Sequence, residues 1–207
     1  INGLAMFVVD PIEQGERIAA ITPVRDFEDG LYVTTLTRRG QMKKTSVTEY
    51  RNFRASGIIG LKINEGDQLL TACVTEGGTD LLVATRKGKS IRFGEDQVRP
   101  MGRAAQGVRA IDLDDDDVVV GMAATAPDRD QVLAVCERGY GKRTSLEEFR
   151  TQNRGGKGII LIDASDRNGP VVGLALVRAG DEVVMITDRG QIRSEEHTSE
   201  LQSHHPI

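Results

Sequence analysis

An all-β chain is predicted, a propeller-like array of four-stranded antiparallel blades, incomplete at about three blades plus part of a fourth. Three observations predict it. A repeat of about 50 residues runs through the sequence, each unit holds four short apolar or alternating runs, and no segment carries the 3.6-residue periodicity of a ten-residue helix. The repeat shows in a glycine that follows an apolar run and a basic residue. LYVTTLTRRG ends at Gly40, LLVATRKG at Gly88, VLAVCERG at Gly139 and VVMITDRG at Gly190, spacings of 48, 51 and 51 residues. A second glycine, in ASG, AAQG and GKG, recurs at Gly57, Gly107 and Gly158, 50 and 51 residues apart.

The units fall at about 13–63, 64–113, 114–164 and 165–193. In the first, the predicted strands are RIAAITPV, LYVTTLT, QMKKTSV and IIGLKI; in the second QLLTACVT, LLVAT, KSIRF and VRAIDL; in the third VVVGMAAT, VLAVC, YGKRTSL and IILIDA. A fourth starts with VVGLALV and VVMIT and stops. Runs of five to eight residues rich in Val, Ile, Leu and Thr, punctuated by glycine, are strand signals, and four of them per unit make a blade. DLDDDD (Asp112 and Asp114 to Asp117) is expected to be a solvated inter-blade turn; it lacks the glycine and terminal Glu of an EF-hand loop. The last segment, 194–207, breaks the pattern with polar residues and no Lys or Arg, and is expected to be a non-native tail from a translated adapter. Incomplete blades leave strand edges open, which predicts low stability or aggregation for the isolated piece.

Composition narrows function. The 207 residues are 39% hydrophobic and 28% charged, with 23 Gly and no Trp, ordinary usage for a folded chain with many turns. No apolar run reaches the ~18 residues of a membrane span, and no secretory signal opens the chain. It starts with Ile rather than Met, so a piece of a longer protein is expected. Cys73 and Cys136 sit in apolar runs and read as small core residues. The three His lie in the last eleven residues, which leaves the body without an imidazole for base catalysis or metal binding. Tyr32, Tyr50 and Tyr140 are expected to pack rather than react, and no phosphate loop, nucleophile elbow or metal cluster is present.

Charge is segregated. Net charge is −4 overall, yet residues 1–193 hold 27 basic and 28 acidic side chains, and 20 of the 27 cations lie in three loop-bearing windows, 38–62, 86–109 and 138–157. Those windows contain only one, two and two acids. Within the repeat the cations occupy matching columns. Arg39, Lys87, Arg138 and Arg189 precede the anchoring glycine; Lys44, Arg92 and Arg143 stand four after it; Arg51, Arg99 and Arg150 stand eleven after it. In an array of blades, equivalent positions fall on one rim or face, and such a belt suits the regular phosphate spacing of a duplex. The candidate DNA-binding residues therefore also include Arg38, Lys43 and Arg54 in the first window. Arg86, Lys89 and Arg103 join them in the second, and Lys142, Arg154 and Lys157 in the third. Cations also keep edge strands from pairing, but that does not explain why acids are excluded from the same windows. Interleaved glycines let backbone N–H groups approach phosphates, and no base-reading helix is present, so binding by backbone charge and DNA shape is expected.

GYGKRTSLEEF, RNGPVVGLALV, VVMITDRG and RKGKSIRFGEDQVRPMGRAAQGVRAIDL resemble the DNA gyrase A C-terminal domain, over about residues 13–193. The resemblance implies a β-pinwheel whose blades exchange strands and whose basic rim binds and wraps duplex DNA, supporting ATP-dependent negative supercoiling by the holoenzyme, a type IIA topoisomerase. It implies no catalysis and no cofactor in this domain itself. ATP and Mg2+ would belong to the holoenzyme, with the catalytic region of gyrase A and the whole of gyrase B as partners alongside DNA, in the bacterial cytoplasm at the nucleoid and with no membrane. The family's QRRGGKG box is approached by Gln152, Asn153, Arg154, Gly155, Gly156, Lys157 and Gly158, with Asn153 in place of Arg. In the family that box lies in the first blade, whereas this copy sits in a late one. The residues leave open whether it is the box or the equivalent loop of another repeat. Two other readings stay open: the corresponding domain of topoisomerase IV, which decatenates, and a propeller-like scaffold whose rim binds an acidic protein.

Overall fold

The computed structural model describes residues 17–24, 26–52, 57–195 and 200–201. β-Branched and apolar runs form hairpins around each anchoring glycine. The first pairs β1 (Tyr32–Thr37) with β2 (Gln41–Ser46) across the Arg38–Arg39 turn. After β3 (Leu69–Thr75), the second pairs β4 (Asp80–Thr85) with β5 (Lys89–Gly94). Thr37 and Thr85 brace these turns: their hydroxyls accept the amides of Gln41 and Lys89 at 3.0 and 3.2 Å. β6 (Val108–Arg109) and β7 (Val119–Ala124) precede the third hairpin, β8 (Gln131–Cys136) with β9 (Gly141–Ser145). β10 (Ile159–Ile160), β11 (Val171–Val177), β12 (Val183–Ile186), β13 (Ile192–Glu195) and β14 (Glu200–Leu201) complete the order. Helical structure among the described residues is limited to 3-10 turns, such as Glu95–Gln97 and Leu146–Glu148.

Three sheets have four strands, in the orders β3-β1-β2-β6, β10-β5-β4-β7 and β11-β8-β9-β14, and β12-β13 stand as a pair. All named ladders are antiparallel. The expected composition of each blade is corrected in one respect. The leading run of a unit does not join its own hairpin: QLLTACVT, as β3, pairs with β1 of the preceding unit, and VVVGMAAT, as β7, pairs with β4. The closing run also crosses over. VRAIDL contributes only Val108–Arg109, to β2, and IILIDA only Ile159–Ile160, to β5. This is the strand exchange that the resemblance implied.

RIAAITPV and IIGLKI are not strands. Ile58–Ile59 occupy the position of Val108–Arg109 and Ile159–Ile160, which pair with the hairpin one repeat earlier; among the described residues no hairpin precedes β1, so 57–64 has no edge to join. Ile59 and Ile63 are accordingly exposed.

Because β7 packs against both β3 and β11, these strands line the inside of the array, and the exchanged two-residue strands lie outermost. The core lies between the sheets. Leu81 and Val83 of β4 face the first blade with Leu36, Met42, Phe93 and Ile111, while Leu82 and Ala84 face the third with Val132, Phe149 and Leu161. The alternation of a strand puts successive side chains on opposite faces, so β4 is an apolar run buried on both. Cys136 is buried and Cys73 half-buried, both free thiols, as expected of core cysteines. Burial, reinforced by Glu95, pushes the Cys73 thiol up to about 11.

Candidate nucleic-acid interface

The outer edges of the first two hairpins are covered by a loop from the next repeat, and that of the third by Glu200–Leu201. Residues 99–109 run along β2: the Met101 amide donates to Lys44 O at 2.9 Å, then Val108–Arg109 pair with Met42 and Gln41. Residues 150–160 repeat this on β5, with Gln152 N donating to Arg92 O at 2.8 Å and Ile159–Ile160 pairing with Ser90 and Lys89. Gly107 and Gly158 make the close approach possible. Both have positive φ, +95° and +72°, and a Cβ on Gly107 would lie 2.5 Å from Met42 O, with Gly158 closer still to Ser90 O. Each rim loop holds three basic residues and no acid: Arg99, Arg103 and Arg109 in one, Arg150, Arg154 and Lys157 in the other.

The structure sorts the basic columns by burial. Arg51, Arg99 and Arg150 are exposed, as are the hairpin-turn residues Arg38, Arg39, Arg86, Lys87 and Arg138. Lys142 and Lys157 are exposed too. Arg54 lies outside the described residues. The column four after the glycine is corrected at two of its three places, where Lys44 and Arg92 are struts between blades. Lys44 is 3% exposed, and its Nζ lies 3.5 Å from Glu95 Oε1, donates to Glu95 O at 3.2 Å and sits 4.8 Å from the Tyr32 ring centroid. Arg92 pairs with Asp80 at 2.8 Å and donates to Leu146 O at 3.0 Å. Glu95 and Leu146 occupy equivalent 3-10 turns one repeat further on. Arg143, at the third position of the column, is half-buried.

Lys43 is also corrected. It is 1% exposed, donating to Gly60 O at 2.7 Å and to Arg103 O. Burial, with the Arg103 charge, holds its pKa below the ordinary lysine value. Arg103 and Arg154 form a second set of struts. Arg103 Nη1 donates to Ile59 O at 3.3 Å, and Arg154 Nη1 to Arg109 O, the equivalent carbonyl one repeat later. Arg154 is held further by Gln97, whose Oε1 accepts its amide at 2.7 Å.

The QNRGGKG loop is thus latched onto the second blade. Gly155 N donates to Ala110 O and Asp112 N to Gly156 O, at 2.8 and 2.9 Å, leaving Asn153 and Lys157 as its exposed polar side chains. Lys89 is half-buried, paired with Asp114 at 2.5 Å.

Three features escaped the sequence reading. Asp67 and Asp117, 50 residues apart, accept the Arg39 and Lys87 amides at 2.9 Å and so seat the basic turns; their shared spacing was the available signal. Asp117 is consequently buried rather than solvated. Glu95, alone in its column as an acid, gave no periodic signal. Arg109 is a further exposed rim cation, 3.2 Å from Asp112. The tyrosines pack as expected: Tyr32 beneath Lys44, Tyr50 donating to Gly60 O at 3.3 Å, and Tyr140 beneath Arg167. Among the described residues no group of three His, Cys, Asp or Glu is placed to hold a metal ion.

The family described as DNA gyrase C-terminal domain, beta-propeller, matches residues 31–75, 79–126 and 130–178. The chain belongs to that family. DNA gyrase A of Salmonella typhimurium is 43% identical over 182 residues, 88% of this chain but 21% of the relative, so the chain spans about a fifth of such a protein. Among solved structures, the C-terminal domain of DNA topoisomerase IV superposes with a TM-score of 0.83 at 25% identity, covering 91% of this chain and 59% of that one. A DNA gyrase A C-terminal domain gives 0.79 at 24% identity, covering 88% and 61%. Each matched family segment contains one hairpin and the inner strand that follows it, the unit from which these gyrase-type blades are assembled.

Proposed function

We propose that this gyrase A C-terminal domain binds duplex DNA through phosphate contacts on its outer rim and bends it around the array, supporting negative supercoiling by the holoenzyme. The observation that carries the reading is the rim loop: the outermost element of a blade, recurring once per repeat, holds exposed cations and no acid. Bending 20–30 base pairs by 40–90° costs on the order of 1–6 kcal/mol. Only a series of contacts spaced along the path offsets that, and Arg99, Arg150 and Lys157 belong to such a series. ATP hydrolysis, Mg2+ chemistry and strand passage fall to the catalytic region of gyrase A and to gyrase B, in the bacterial cytoplasm at the nucleoid. The polar segment 194–207 lacks the apolar and basic pattern of the repeat and is read as foreign to the domain, although its Glu200–Leu201 take the outer-edge place on β9.

The test relaxes and religates a nicked plasmid bound by the full-length gyrase A protein that carries this domain, across a salt series. A positive linking-number shift that fades as salt rises is expected. Arg99→Ala/Arg150→Ala/Lys157→Ala should diminish it and reduce the log–log salt slope of binding by about 0.9 per lost contact. Binding with no linking-number change would overturn wrapping and favour the topoisomerase IV reading, to which the 0.83 superposition gives weight. Absence of duplex binding would leave the acidic-protein scaffold.

A further inference from the structure

The acidic turn 112–117 does more than connect two blades. Asp114 meets Lys89 at 2.5 Å, the Asp115 carbonyl accepts from Lys87 Nζ, and Asp117 fixes the Lys87 amide from below. The Lys157 charge acts on the Asp114 carboxylate from the next repeat's rim loop. Asp114 is held below the usual carboxylate value first by the Lys89 hydrogen bond and then by the charges of Lys89, Lys157 and Lys87. Lys89 thus meets the Asp114 carboxylate directly, Lys87 meets the neighbouring Asp115 carbonyl, and the Lys157 charge acts on the same carboxylate from the next repeat. Beside them the hairpin turn opens on a hollow of about 300 Å³, lined by Arg86, Lys87, Arg138 and Asp116. The equivalent segments KINEGD at 62–67 and DASDRN at 163–168 carry two acids each against five in 112–117, so this concentration of carboxylates belongs to a single position in the array.

We propose that Lys87, Lys89 and Lys157 form a binding site for a nucleic-acid phosphodiester, occupied in the free protein by the Asp114 carboxylate, which DNA must displace. The inference rests on the DNA-binding reading above and gives one station of the rim a built-in competitor. A carboxylate is a monoanion with two acceptor oxygens, as is a phosphodiester, so the ion pairs seen here mark where a phosphate is received. A displaced carboxylate takes up cations from solution, offsetting part of the counterion release that drives DNA binding.

The test compares the full-length gyrase A protein with its Asp114→Asn/Asp115→Asn/Asp116→Asn variant, using a fluorescent duplex long enough to wrap. Asp116 has φ +61°, a conformation that Asn also tolerates, and Asp117 is left intact, so the turn keeps its shape. Binding should tighten by about tenfold at low salt, with a salt slope steeper by about 1. Adding Lys87→Ala/Lys89→Ala/Lys157→Ala should abolish the gain. The charge-matched control Asp128→Asn/Asp130→Asn/Glu147→Gln alters exposed acids elsewhere and should give a much smaller change. Equal gains from both triple variants, or a gain that survives loss of the lysines, would overturn the proposal by showing only a long-range charge effect. Unchanged affinity and slope in the Asn variant would overturn it too. Failure of the unmodified protein to bind duplex would instead sink the DNA-binding reading.

Discussion

Glu95→Leu is expected to destabilise the domain by about 3–5 kcal/mol, the cost of breaking a buried ion pair from one side. Glu95 is 1% exposed and serves four partners across a blade boundary: Lys44 at 3.5 Å, Thr75 Oγ1 at 2.5 Å, Thr79 Oγ1 at 3.0 Å and the Gly77 amide at 3.2 Å. Leucine would leave the Lys44 ammonium buried with carbonyl and aromatic contacts but no counter-charge. Two hydroxyls and an amide would lose their acceptor as well. Removing both charges should cost less than removing one, because an uncompensated buried charge is worse than none. The double variant Lys44→Leu/Glu95→Leu should therefore lie closer to the unmodified domain than Glu95→Leu does. Chemical denaturation of the three proteins checks this, and equal stability of the single and double variants would show that Lys44 gains nothing from the carboxylate. The third repeat already supports the idea, since Leu146 replaces the acid there and Arg92 finds its partner in Asp80 instead.

Gly158→Ala should unseat a rim loop. A residue at φ +72° loses about 1–2 kcal/mol when a Cβ is added, and here the new atom also collides with Ser90 O. Relieving the collision moves β10 off β5, giving up exchange hydrogen bonds worth roughly 0.5–1.5 kcal/mol each. A total of about 3 kcal/mol follows. Gly57→Ala supplies the control: its φ is +77°, but nothing lies within 4 Å of the added atom, so only the backbone cost of about 1–2 kcal/mol applies. A thermal melt separates the two. Since Lys157 rides on the displaced loop, Gly158→Ala should also lower the salt slope of DNA binding, which Gly57→Ala should not. Equal melting temperatures would mean that the rim loop yields without strain.

The basic columns show where sequence reading succeeds and where it stops. Their period follows from the blade repeat, and Arg51, Arg99 and Arg150 do lie exposed at equivalent places. Yet Lys44 and Arg92 share that period just as strictly and are struts to the next blade's 3-10 turn. Arg103 and Arg154 clamp equivalent carbonyls in the same way. A repeat makes any recurrent residue periodic, whether it meets the solvent or the neighbouring repeat. Charge alone does not distinguish the two, because a cation can be buried once carbonyls or a carboxylate meet it.

By itself the sequence determined the period, the hairpins with their glycine turns, the all-β class, the core cysteines and the basic windows, all of which rest on interactions within a few residues or on strict spacing. Tertiary structure alone decided which strand joins which sheet, since QLLTACVT and VRAIDL are equally good strands for either neighbour and only inter-blade packing selects. It also decided which cations are struts and which line the rim, and it brought Asp114 of one repeat against Lys89 of the repeat before. Those outcomes depend on contacts between residues far apart in the chain, where the local pattern carries no information about what lies opposite.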